Sequence, residues 1–153
     1  LNMECINLGF SGNGKFDMEV AEAMVKIDAA CYIVDCVPNN NGNDIRKKAY
    51  PMFKYIREKR PNTPILIVET PFREDGYFST KRNAWLIDQN KAIRECYDKL
   101  IAEKVPGIYY LDNKELYGED HDGTVDGTHA TDLGFRRYAD AVIKALKPIL
   151  KLK

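Results

Sequence analysis

A chain of 153 residues with 23 basic and 23 acidic side chains is the size of one domain, and its zero net charge leaves no excess of cation to grip nucleic acid or an acidic surface. An apolar content of 44% suffices for a core and argues against disorder, while no apolar run approaches the roughly 18 residues of a membrane helix. Cys5, Cys31, Cys36 and Cys96 make no CxxC pair and fall in apolar segments, so they read as buried free thiols rather than a disulfide frame or a zinc site.

In chain order, residues 4–10 (ECINLGF) read as a short buried strand, followed by a glycine-rich loop at 11–15. Asp17 stands as the N-cap of a helix over 17–28, in which Met18, Ala21, Met24 and Val25 recur at helical spacing. Residues 31–37 (CYIVDCV) form a second strand that breaks at Pro38 into an asparagine-rich loop at 39–43. A helix over 44–60 follows, with Asp44 as its natural N-cap and a kink or restart expected at Pro51. Residues 64–69 (PILIVE) are a third strand, and 70–82 a long polar loop carrying Phe72, Arg73, Tyr77 and Phe78. A helix spans 83–104 with Leu86, Ile87, Ile93, Tyr97, Leu100 and Ile101 as its apolar positions, and Trp85 and Tyr97 read as core. Residues 107–111 are the last strand, and 133–150 the final amphipathic helix. Near-continuous apolar strands alternating with helices predict a parallel sheet covered on both faces, with ligands beyond the carboxyl ends of the strands.

One stretch there has a spacing that chemistry uses. Asp126-Gly127-Thr128-His129 follows a polar loop at 117–125 and precedes the final helix. An Asp three residues upstream can hold the imidazole Nδ1–H and leave Nε2 free to take a proton from a nucleophile. Gly9 to Phe16 comes close to the phosphate-binding pattern GxxxxGK[ST], but Phe16 stands where the hydroxyl should be. Asp120, His121 and Asp122 could ligate a cation, although acidic residues around a loop histidine are usually solvated, and no metal site is expected.

Three loops together carry a resemblance. Gly12 in LGFSGN, Asn39 in DCVPNN, and Asp126-Gly127-Thr128-His129 resemble blocks II, III and V of the SGNH hydrolases, the GDSL-type esterases and acylhydrolases, in the same order along nearly the whole chain. Gly42-Asn43-Asp44 matches the wording of block III more literally, but Asn39 lies nearer the end of the predicted strand. The resemblance implies a three-layer αβα sandwich with a flavodoxin-like parallel sheet. It implies His129 as base, Asp126 as the carboxylate that orients it, and Gly12 and Asn39 as oxyanion donors. The Gly-Asp-Ser block that supplies the nucleophile is absent, since the serines are Ser11 and Ser79. We therefore expect residues 1–153 to be one hydrolase-like domain cut from a longer chain, its first strand and its serine lying in an upstream segment of the same protein. The resemblance further implies a small acyl ester as substrate, an O-acetylated carbohydrate first, and no cofactor. Neither nucleic acid nor a membrane is an expected partner, and a periplasmic or secreted location is implied by the family alone. Phe72, Arg73 and Tyr77 are expected to wall the substrate pocket. Two other readings stay open: a non-catalytic binding module on a degenerate hydrolase fold, and a P-loop-like phosphate-binding enzyme.

Overall fold

Three short parallel strands, β1 (Tyr32–Val34), β2 (Ile65–Val68) and β3 (Ile108–Leu111), form the sheet in that order. The computed structural model describes residues 2–152. Ile33 lies opposite Leu66, and Leu66 opposite Tyr109. Helix α1 (Met18–Met24) precedes β1. The crossovers run through α2 (Gly42–Lys59) and α4 (Thr80–Ala102), and α5 (Asp132–Ile149) follows β3.

The sheet is packed on both faces, as the αβα expectation requires. Tyr32, Val34, Ile65, Ile67 and Ile108 point to one face, where they meet Ile45, Met52, Phe53 and Ile56 of α2 and Ile93, Cys96 and Leu100 of α4. Leu66 and Val68 point to the other, against Leu116 and the α5 residues Ala141 and Leu146. As the central strand, β2 is buried along its whole length, which is why ILIV shows no alternation. The α2 positions follow the 3–4 spacing of one helix stripe, and burying each large side chain contributes about 1.5–3 kcal/mol. Phe53 is fully buried, so Phe53→Ala should cost about 3–5 kcal/mol, read as a lower urea midpoint at an unchanged slope.

Several expectations are corrected. Residues 4–10 form no strand, and Ile6, Leu8 and Phe10 are exposed. A β-ladder needs a neighbour, and this segment pairs with none among the described residues. Asp17 stands at the N-cap of α1 but makes no capping bond, because its carboxylate takes Lys48 at 3.2 Å. The second strand stops at Val34, and Val37–Asn39 is a 3₁₀ turn set by Pro38. Asn41 rather than Asp44 caps α2, accepting from the Asp44 N–H at 2.9 Å. Pro51 sits inside that helix without ending it, since both Pro51 and Lys47, whose carbonyl loses its partner, face solvent. The loop at 70–82 contains a helical turn, α3 (Asp75–Phe78), and α4 starts at Thr80, capped by Ser79. On α4, Ile87 and Ile101 are exposed, while Trp85 and Tyr97 are half-buried.

All four cysteines are free, but Cys5 is exposed. Burial pushes the Cys31 and Cys36 thiols up to about 11 and Cys96 to about 12. The thiolate is the reactive form, so iodoacetamide at pH 8 should modify Cys5 first in the native chain and reach the other three only on unfolding, as read by peptide mass mapping.

Candidate active site

Because the strands are parallel, the segments after β1, β2 and β3 open along one edge of the sheet. The last of these carries Asp126 and His129. Gly127 turns the chain at φ +84°, and a Cβ there would stand 3.2 Å from the Asp75 nitrogen. The Asp126 Oδ1 accepts from the backbone N–H groups of Thr128 and His129 at 2.9 and 2.8 Å. Its Oδ2 lies 2.7 Å from His129 Nδ1. Those contacts, the His129 amide first, then its ring and the Thr128 amide, hold the Asp126 carboxyl well below the usual carboxylate range. The His129 Nε2 has no hydrogen-bond partner among the described residues, and the side chain is 77% exposed.

The turn is anchored at both ends. Behind it, Thr131 caps α5 through the Gly134 N–H at 3.0 Å, and a Cβ on Gly134 would collide with the Gly123 carbonyl. In front, Asp75 at the start of α3 donates its N–H to the Gly127 carbonyl at 2.9 Å, and its carboxylate accepts from the Thr128 hydroxyl at 3.0 Å. Arg82 holds the same carboxylate at 2.6 Å.

The glycine and asparagine loops meet on the other side of the edge. The side chain of Asn40, buried, donates to the carbonyls of Cys36 at 2.6 Å and Gly14 at 3.1 Å. A Cβ on Gly14 would stand 3.6 Å from the Asn39 Nδ2. Asn39 itself is exposed, and its amide has no partner among the described residues. Gly12 has φ +69° and lies open to solvent. Asn43 falls in the first turn of α2. Among the described residues no hydrogen bond joins Gly12 or Asn39 directly to Asp126 or His129.

The segment after β2 stands between the two groups. Phe72, Tyr77 and His121 form a row of rings, with centroids 4.7 and 5.0 Å apart. Tyr77 is exposed, but Arg73 is turned inward, only 6% exposed, with Trp85 5.1 Å from its guanidinium. His121 is exposed, and its Nδ1 lies 2.7 Å from Glu74. Asp120 is taken instead by Arg137, which draws its carboxyl down to about 2. No three metal-ligating side chains converge among the described residues. At the P-loop-like stretch, Phe16 is a core residue 6.1 Å from Phe53.

A family model described as the GDSL-like lipase/acylhydrolase family matches residues 1–147. No curated protein matches the chain. Among solved structures, the chain is similar to a Bacteroides ovatus protein described as a GDSL-like lipase, with TM-score 0.92 and 42% identity over 97% of this chain and 44% of that one. It is similar in fold to a salicylyl-acyltransferase from a tetracycline biosynthetic pathway, with TM-score 0.70 and 14% identity over 89% of this chain and 42% of that one. It is likewise similar to a Clostridium thermocellum family 3 carbohydrate esterase, with TM-score 0.65 and 15% identity over 87% of this chain and 65% of that one. The chain thus spans less than half the length of the first two.

Proposed function

We propose that this chain, which belongs to the GDSL-like lipase/acylhydrolase family, supplies the general base and the oxyanion donors of a serine ester hydrolase. The observation that carries the reading is the imidazole of His129, held through Nδ1 by Asp126 at 2.7 Å with Nε2 unengaged. The nucleophile is a serine of an upstream segment. His129 takes its proton as it attacks the ester carbonyl, and the Gly12 N–H and the Asn39 amide receive the oxyanion. His129 then protonates the leaving alcohol, and water hydrolyses the acyl-serine.

The substrate is a small acyl ester, with an O-acetylated carbohydrate as first candidate. The likeness in fold to a carbohydrate esterase and the paired rings of Phe72 and Tyr77 beside the His129 loop support that choice. The phosphate-binding alternative is disfavoured by Phe16, which the core holds where a Mg²⁺-binding hydroxyl is needed.

Comparing Asn39→Ala with Asn43→Ala in the full-length protein tests the oxyanion side, with p-nitrophenyl acetate as substrate. Asn39→Ala should lower kcat by roughly 10²–10³-fold with a smaller change in KM, while Asn43→Ala stays near wild type. The reverse ranking would move the donor to the first turn of α2. A wild-type protein without turnover of any acyl ester would favour a binding module instead.

A further inference from the structure

The turn that presents Asn39 is bracketed by two carbonyls, those of Val37 and Asn40, and one fully buried side chain on α4 serves both. Gln89 donates from Nε2 to the Val37 carbonyl at 2.9 Å and also to the Asn40 carbonyl. Its Oε1 accepts from Arg73 Nη2 at 3.3 Å. These partners fix which way the amide faces. A guanidinium only donates and a carbonyl only accepts, so a flipped amide would set oxygen against two oxygens and NH₂ against a cation.

We infer that Gln89 and, behind it, Arg73 are positioning residues for the oxyanion hole: the Arg73–Gln89 relay sets the register of the Val37–Asn40 turn and thereby the aim of the Asn39 amide. The inference rests on Asn39 being the oxyanion donor. Nothing else on α4 reaches both carbonyls through a hydrogen bond among the described residues, and Pro38, between them, has no N–H to anchor the turn. Losing Gln89 leaves the Asn40 carbonyl without its donor and the Val37 carbonyl with the Asn40 N–H alone, at 3.1 Å, which loosens the turn that carries Asn39. A misplacement of about 1 Å can cost on the order of 10²-fold in rate. The relay also gives the inward turn of Arg73 a purpose, since its cation keeps the amide facing the turn.

The test is a double-mutant cycle in the full-length protein, with Asn39→Ala as the second site and thermal unfolding followed in parallel. Gln89→Leu should lower kcat roughly 10–10²-fold at nearly constant KM, and should cost less than about 3-fold once Asn39 is already Ala. Arg73→Met keeps length and packing, serves if Gln89→Leu does not fold, and should repeat the pattern at smaller size. Equal losses in both backgrounds, a lower Tm with wild-type kcat, or a raised KM at unchanged kcat for Arg73→Met would each overturn the inference. A silent Asn39→Ala alone would sink the oxyanion reading itself, and this inference with it.

Discussion

Replacing His129 by Ala in the full-length protein should lower kcat for ester hydrolysis by roughly 10⁴–10⁶-fold and leave thermal stability nearly unchanged. The stability half follows from exposure: the side chain is 77% accessible, and such surface changes usually stay within about 0.5 kcal/mol. The kinetic half follows from role, since without the imidazole nothing takes the serine proton. Asp126→Asn should cost about 10⁴-fold for a different reason. An amide oxygen can still accept from the Thr128 and His129 N–H groups, so the turn persists, but an NH₂ facing Nδ1 selects the wrong tautomer. The Asp126 carboxyl is held below its ordinary range, so it stays ionised until the pH falls through that lowered value. Loss of activity between about pH 4 and 7 should therefore not arise from Asp126. His121→Ala is the control, because His121 forms its own pair with Glu74 at the same 2.7 Å. If His121 proved essential and His129 dispensable, the base would belong to that second pair.

Residues 1–153 alone should hydrolyse no ester and should associate or precipitate, whereas the same residues with the upstream segment that we propose should be soluble and active. The outer edge of β1 has no strand partner among the described residues, and Ile33 on that strand is 39% exposed. Met3, Ile6, Leu8 and Phe10 add further exposed apolar surface before α1. In a flavodoxin-like order one more strand would lie against the outer edge of β1, and we place it in the proposed upstream segment. A strand there, at about 4.8 Å, would pair with the N–H and C=O groups that the outer edge of β1 leaves without a strand partner among the described residues. An exposed apolar edge of that kind invites pairing with other chains. Solubility, size on gel filtration and p-nitrophenyl acetate turnover, each with and without the upstream segment, decide the matter. A soluble, monomeric and fully active 1–153 would turn attention to Ser11 as nucleophile.

The parts of this fold that can be read without coordinates are those whose signal is local. PILIVE announces a strand buried on both faces, and the apolar spacing of residues 133–150 places α5 within a residue at either end. Residues 4–10 mislead because their strand pattern is local while the neighbour that would make them a strand is not. The turn α3 escapes because four residues give no periodicity, although Ser79 before Thr80 is an ordinary N-cap signal for α4. At the site, the Asp126–His129 contact is legible from spacing alone. What spacing cannot show is how the pieces are held. Asn40 staples the glycine loop to the β1 turn, and Asp75 staples α3 to Gly127, each across a long stretch of sequence. Gln89 did leave a trace: it falls on the stripe of Leu86, Ile93, Cys96 and Leu100, a polar residue in a buried position on α4.

We propose that His129 and Asp126 activate a serine lying in an upstream segment. Labelling the full-length protein with a fluorophosphonate and mapping the modified peptide tests it most directly, because the probe traps whichever serine the base activates. We expect a single labelled serine, upstream of Leu1 in a Gly-Asp-Ser setting, with labelling slowed by orders of magnitude in His129→Ala. Label on Ser11 or Ser79, or an unchanged rate in His129→Ala, would contradict it.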